Sequence, residues 1–175
     1  MTKAEGCAYM TDVLAKFVAY TGRRLPDDAR AKIAELAAAE EAPLAKSIYE
    51  TMEKNQSLAM ELKRPSCQDT GAAQFFLRCG ANFPYIGEMA EVLHAAVMRA
   101  TVDAPLRHNA VETFDEYNTG QNVGKGIPSV FWEIVPERDD IEIHTYMAAV
   151  RSRGRRWCSC RERDTRGSYA SSSML

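Results

Sequence analysis

Apolar residues recur at helical spacing through the first third of the chain, and this pattern is the strongest constraint on its fold. The first segment ends near Gly22 and places on one face Met10, Val13, Leu14, Phe17 and Val18. A second segment begins at Pro26, which suits a first turn, and the two acids that follow oppose the helix dipole. A third segment continues the pattern until Pro65 ends it. Its apolar residues are Leu44, Ile48, Met52, Leu58 and Leu62. The chain therefore begins with a helical layer.

The pattern changes after Gly71. Residues 72–80, AAQFFLRCG, predict a short buried strand, and residues 129–137 and 140–148 predict two more strands joined by a turn. Residues 87–101 predict an amphipathic helix, whose inward face holds Met89, Val92, Leu93, Ala96 and Val97. We therefore expect an α+β fold, with a helical N-terminal layer followed by a small, partly incomplete sheet.

Length and composition set the broad class of the protein. The 175 residues are 46% hydrophobic and 26% charged, as in a globular chain of one domain. No apolar run reaches about 18 residues, and the N-terminus lacks a signal-peptide pattern, so we expect a cytoplasmic protein. The odd number of scattered cysteines argues against a disulfide framework and favours thiols or metal ligands. They are Cys7, Cys67, Cys79, Cys158 and Cys160.

The composition changes abruptly near residue 149. Residues 149–175 hold seven Arg against Glu162 and Asp164, and they show no apolar period of a helix or a strand. A disordered basic tail is one interpretation. A nucleic-acid-binding arm is another, because clustered Arg neutralises phosphates. The Cys-Ser-Cys sequence in this segment is weak support for a metal site.

One cysteine stands in an unusual polar loop. The sequence RPSCQDTG places Cys67 directly before Gln68, Asp69 and Thr70, just after a helix. An isolated cysteine is more often an inert thiol in a turn. Three consecutive hydrogen-bonding side chains instead favour a thiolate that binds a metal, with polar groups facing whatever the metal binds. A third hypothesis pairs the thiol with His108 as a nucleophile.

A second candidate loop contains Arg107, which follows Pro105. An arginine in a loop is usually a solvated charge, yet its guanidinium is also the group best suited to hold a carboxylate through two parallel hydrogen bonds. The segment NTGQNVGKG, residues 118–126, lacks the spacing of a phosphate-binding loop and is interpreted as a turn.

Together, the sequences RPSCQDTG, APLRHNAVETFDEYNTGQNVG and IEIHTYMA resemble the α-type chains of the iron–sulfur hydro-lyases. These include class I fumarases and tartrate dehydratases, and the resemblance covers roughly residues 10–148. The PLRHNAVE block favours the tartrate branch.

The resemblance implies a [4Fe–4S] cluster held by three cysteines, with one iron open as a Lewis acid. It implies dehydration of a 2-hydroxy dicarboxylate, L(+)-tartrate to oxaloacetate and water, or the malate–fumarate reaction as the alternative. A β subunit would complete the enzyme, as an α2β2 hetero-oligomer. A non-catalytic nucleic-acid-binding protein is the alternative of another class.

Residue by residue, the resemblance implies that Cys67 is a cluster ligand. It implies that Gln68 and Asp69 contact the substrate and that Arg107 binds a substrate carboxylate. Residues 118–120 also match the family, without an assigned role, and the catalytic base is not identified.

The resemblance stops near residue 148, where the family continues with GCSLPG and later EGYEG. A reading frame moved back by one base allows GCSLPG over residues 149–154 and GEGYEGVV near 161–169. We therefore expect residues 1–148 to be the N-terminal part of the catalytic domain and residues 149–175 to be an out-of-frame tail. A chain truncated in this way should be inactive alone. DNA sequencing that finds an early stop in the shifted frame would refute this interpretation.

Overall fold

The computed structural model describes residues 2–67, 71–108, 110–112 and 116–148. Its elements, in chain order, are α1 (Lys3–Arg23), α2 (Asp27–Ala39), α3 (Pro43–Glu61), β1 (Ala72–Gly80), α4 (Met89–Asp103), β2 (Ser129–Val135) and β3 (Ile141–Ala148). A helical N-terminal region is thus followed by a small sheet, and the predicted α+β class is confirmed. No helix within these ranges is long and apolar enough to cross a membrane.

Helix α1 begins with a reciprocal cap. The Thr2 hydroxyl accepts a hydrogen bond from the Glu5 backbone N–H, and the Glu5 carboxylate accepts one from the Thr2 N–H at 2.7 Å. Leu14 and Val18 are buried as predicted, whereas Phe17, expected on the same face, is 39% exposed. The buried stripe of α1 is therefore narrower than the apolar stripe of its sequence.

Helices α1 and α4 pack side by side in the same direction. Their polar contacts advance along both helices together, joining Lys3 to Glu88, Asp12 to Arg99, and Arg23 to the Asp103 carbonyl. The residues of α4 predicted to face inward are all buried, and they form the centre of the core. Because the two helices are parallel, their C-terminal ends lie at the same end of the fold.

Strand β1 is the middle strand of a three-stranded sheet of order β2-β1-β3. Strand β2 pairs with it in parallel and β3 in antiparallel orientation. Strands β2 and β3 are joined by the predicted turn, but they are not neighbours, because their connection passes across the end of β1. Gly80 lies at that crossing, where its N–H donates to the Asp140 carbonyl at 2.9 Å.

Only one face of β1 is buried, although the sequence predicted a buried strand. Phe75, Leu77 and Cys79 point into the core. Phe76 lies on the outer face and stacks on Phe131 of β2, with ring centroids 4.8 Å apart. The apolar run of β1 therefore combines two environments. Its inner face is buried in the core, and its outer face carries Phe76, which belongs to an exposed aromatic pair.

The apolar face predicted for α3 is largely uncovered. Within the described residues, α2 has no buried residue and α3 has only Ala59. The exposed side chains are Leu44, Ile48, Met52 and Leu58. Periodicity identifies the apolar face of a helix, but it does not identify what covers that face.

Candidate functional site

The described segments that carry Cys67 and Arg107 lie at one end of the fold. Pairing of Gln74 with Ser129 places the start of β2 beside the start of β1. Pairing of Ala72 with Ala148 brings the end of β3 to the same edge. The loop before β1, the loop before β2 and the end of β3 therefore converge there, next to the C-terminal ends of α1 and α4.

The loop of Cys67 is held by its neighbour Ser66. The Ser66 N–H donates to the Gly22 carbonyl in the last turn of α1 at 3.0 Å. The Ser66 carbonyl accepts a hydrogen bond from the Asn55 side-chain amide of α3 at 2.5 Å. These two bonds fix the backbone just before Cys67, whose thiol is free and exposed. Gln68 and Asp69 lie outside the described residues, and their substrate-binding roles stay predictions.

The end of α1 also contacts the segment that leads to Arg107. The Arg23 guanidinium donates to the Asp103 carbonyl at the end of α4, with an N–O distance of 3.1 Å. The two candidate loops are thus tied to adjacent residues of one helix end, Gly22 and Arg23. Arg107 itself is exposed. Within the described ranges, no side chain pairs with its guanidinium.

The side chain of Asn122 holds the backbone around Arg107. Its amide nitrogen donates to the Arg107 carbonyl at 2.9 Å and to the Thr101 hydroxyl at 3.2 Å. Its amide oxygen accepts from the Ala110 N–H at 3.3 Å. Sequence reasoning missed Asn122 and Thr101. The available signal was an Asn inside a Gly-rich loop, a residue type that tolerates the left-handed backbone with φ of 58° found there.

Residues 118–120, which precede Asn122, also hold the Arg107 loop. The Asn118 side chain donates to the His108 carbonyl at 2.6 Å and accepts from the Gly120 N–H at 2.8 Å. Gly120 has φ of 73°, which a side chain would disfavour. The predicted turn is confirmed, and it braces the Arg107 loop.

A cleft of about 670 Å³ lies between α2 and α3 and extends to Ser66 and Cys67. Its walls are mainly apolar, with two basic groups, Arg30 and Lys46, and two acidic groups, Glu50 and Glu53. The exposed thiol therefore stands beside a cavity that is large enough for a small molecule or for side chains of another polypeptide.

Cys67 and Cys79 differ sharply in environment. The thiol of Cys79 is fully buried in β1, and burial, together with the nearby Asp140 carboxylate, raises its pKa. The Cys67 thiol, by contrast, is exposed. Within the described residues, no three His, Cys, Asp or Glu side chains are grouped closely enough to hold a metal ion.

Alkylation with iodoacetamide at pH 8 should modify Cys67 in the native chain and leave Cys79 unmodified until denaturant is added. A buried thiol with a raised pKa offers little thiolate and no access. Peptide mass spectrometry after timed quenching measures both sites in one sample, so Cys79 is the internal control. Equal native rates at the two cysteines would contradict the buried position of β1.

Comparison with known proteins gives a consistent result. The model of the fumarate hydratase (Fumerase) family matches residues 11–155, which extends seven residues beyond the boundary expected at 148. The chain is 49% identical over 146 residues to the L(+)-tartrate dehydratase subunit alpha of Escherichia coli strain K12. The proteins of that name from Shigella boydii serotype 4 and E. coli O157:H7 show the same identity. Each alignment covers 83% of this chain and 48% of the relative, so the chain spans about half the length of these relatives.

Proposed function

We propose, from the premise that the chain belongs to the fumarate hydratase (Fumerase) family, that it forms part of a hydro-lyase acting on L(+)-tartrate. The observation that carries the proposal is the convergence of the Cys67 and Arg107 loops at one end of the fold. Relatives named for tartrate favour this substrate. The family description favours fumarate and malate as the second candidate pair.

The reaction removes water from adjacent carbons of a dicarboxylate. A proton leaves one carbon, the hydroxyl leaves its neighbour, and the enol product from tartrate tautomerises to oxaloacetate without net oxidation or reduction. In this scheme Arg107 binds a substrate carboxylate through paired hydrogen bonds, with its guanidinium exposed and not bound to another described side chain. Gln68 and Asp69 are proposed to contact the same substrate.

The described residues fit one part of a [4Fe–4S] site. Cys67 is the exposed thiol at the site, whereas Cys79 is buried. No complete ligand group lies within residues 2–67, 71–108, 110–112 and 116–148. We therefore propose Cys67 as one ligand of a cluster whose other ligands come from elsewhere. The chemistry that such a cluster supplies when bound is Lewis-acid assistance to the leaving hydroxyl.

A second subunit is the proposed partner, because the relatives carry the designation subunit alpha. The assembly would be an α2β2 hetero-oligomer in the cytoplasm. The uncovered apolar face of α3 is compatible with a large contact that the described residues do not supply. The nucleic-acid-binding alternative depends on residues 149–175, which lie outside the described residues.

Replacement of Arg107 by Lys should raise the KM for L(+)-tartrate about ten- to hundredfold, because a lysine cannot reproduce the paired hydrogen bonds to a carboxylate. The assay follows oxaloacetate formation, under anaerobic conditions with iron and sulfide, by the partner subunit together with a chain in which the continuation in the shifted frame replaces residues 149–175. Fumarate and malate, assayed in parallel, distinguish the second candidate reaction.

The control is Arg138→Lys, because Arg138 is a half-buried arginine, paired with Asp140, in the turn at the opposite end of the fold. Its KM should equal that of the wild type. If Arg107→Lys also leaves the KM unchanged, Arg107 does not bind the substrate carboxylate.

A further inference from the structure

Two buried polar side chains stand out in the described part of the chain. Thr101 is 2% exposed and Asn122 is 4% exposed, and both lie beneath the loop of Arg107. Burial of a polar group is costly unless its hydrogen bonds are made. The question is therefore what these two side chains hold together.

The amide of Asn122 uses all of its hydrogens. One N–H donates to the Arg107 carbonyl and the other to the Thr101 hydroxyl, while the oxygen accepts from the Ala110 N–H. The opposite orientation of the amide would place its oxygen against the Arg107 carbonyl, two acceptors facing each other. The Asn122 side chain therefore holds the backbone at Arg107 and at Ala110, on both sides of His108.

Thr101 connects the hydrogen bonds of Asn122 to the helical core. Its hydroxyl lies 2.8 Å from the Val97 carbonyl in α4 and 3.3 Å from the Gln121 carbonyl, and it accepts from Asn122. The Thr101 carbonyl also accepts a hydrogen bond from the Leu106 N–H at 3.1 Å. The last turn of α4, the Arg107 segment and the loop before β2 are thus joined through one threonine.

We propose that Asn122 and Thr101 are a positioning pair that fixes the Arg107 backbone, and thereby directs its guanidinium, without either side chain contacting the substrate. This inference rests on the proposed role of Arg107 as the carboxylate binder. The hydrogen bond from Asn122 to the Arg107 carbonyl holds the backbone from which the guanidinium extends. The pair supplies that constraint from α4, a rigid element.

The variants separate side-chain hydrogen bonds from backbone strain. Asn122 has φ of 58°, a conformation that alanine would strain, so Asn122→Gly removes the side chain and keeps the backbone accessible. Asn122→Asp keeps the acceptor for Ala110 and loses both donors. Thr101→Val removes the hydroxyl at nearly constant volume, and Thr101→Ser restores it.

The readout is tryptic cleavage of the full chain at the Arg107–His108 bond, measured by peptide mass spectrometry. Cleavage at Arg138–Asp139, in the turn at the other end, is the internal reference. Cleavage of a locally opened segment follows the population of the open form. Loss of the buried hydrogen bonds should raise the ratio of the two rates about tenfold in Asn122→Gly. Asn122→Asp should raise the ratio at least as much as Asn122→Gly, because a buried carboxylate oxygen would face the Arg107 carbonyl.

The pair is supported if the cleavage ratio rises in Asn122→Gly and Thr101→Val and returns toward the wild-type value in Thr101→Ser. It is overturned if both bonds are cleaved faster together, which indicates general destabilisation, or if the ratio does not change. Cleavage is measured without substrate. A failure of the proposed function would instead appear as an unchanged KM in Arg107→Lys.

Discussion

Anaerobic incubation of the full chain alone with iron and sulfide should give a colourless protein, without the brown absorbance of a [4Fe–4S] cluster. A stable cluster needs several thiolates, and the described residues offer one exposed cysteine at the site, Cys67. Cys158 and Cys160 belong to the segment interpreted as out of frame, so they should not replace the family ligands. The measurement is the iron and sulfide content and the visible spectrum after desalting.

Three variants make the result decisive. A stoichiometric cluster on the wild-type chain would contradict the expectation. If that cluster disappeared in Cys158→Ser/Cys160→Ser, the tail would be a ligand segment and the frameshift hypothesis would be wrong. In the enzyme completed by the shifted-frame continuation and the partner subunit, Cys67→Ser should lose the cluster while Cys79→Ser retains it, because Cys67 is exposed and Cys79 is buried.

Replacement of Gly80 by Ala should lower the free energy of unfolding by about 3 kcal/mol. The reason is space, since a Cβ at this position would lie 2.3 Å from the Arg138 carbonyl oxygen and 2.8 Å from the Asp139 nitrogen. These are backbone atoms of the connection that crosses β1. The Arg138 carbonyl oxygen also accepts a hydrogen bond from the Asn82 N–H at 2.9 Å, so moving it aside would weaken that bond.

Urea denaturation followed by circular dichroism measures this change. Gly87→Ala is the matched control, because no heavy atom lies within 4 Å of the position its Cβ would take. Its stability should stay within about 0.5 kcal/mol of the wild type. A Gly80→Ala variant as stable as Gly87→Ala would mean that the connection does not cross β1 at this distance.

The local elements could be predicted from the sequence, but their arrangement could not. Strand β1 occupies the predicted residues, and α4 buries its predicted face, because periodicity is a local property. The order of the sheet depends on contacts between remote segments, such as Phe75 with Val130. No local pattern shows that β1 lies between two strands that are consecutive in the chain.

The candidate site, too, could be predicted only in part from the sequence. Cys67 and Arg107 were selected by residue type and family resemblance, and the structure brings their loops to one end. The residues that hold Arg107 in place, Thr101 and Asn122, have no chemical signature in the sequence, because a hydroxyl and an amide are common in loops and helix ends. Their importance arises from burial and from hydrogen bonds between distant segments.

The parallel packing of α1 and α4 has an electrostatic consequence for this end of the fold. Each helix presents its carbonyl terminus there, equivalent to about half a negative charge per helix. Arg23, in the last turn of α1, offsets part of this field. The two helix ends and Arg23 together therefore supply no net positive charge to attract a substrate with two carboxylates. We therefore expect the surface that completes the site to be strongly basic, with Arg107 as the cation contributed from this side.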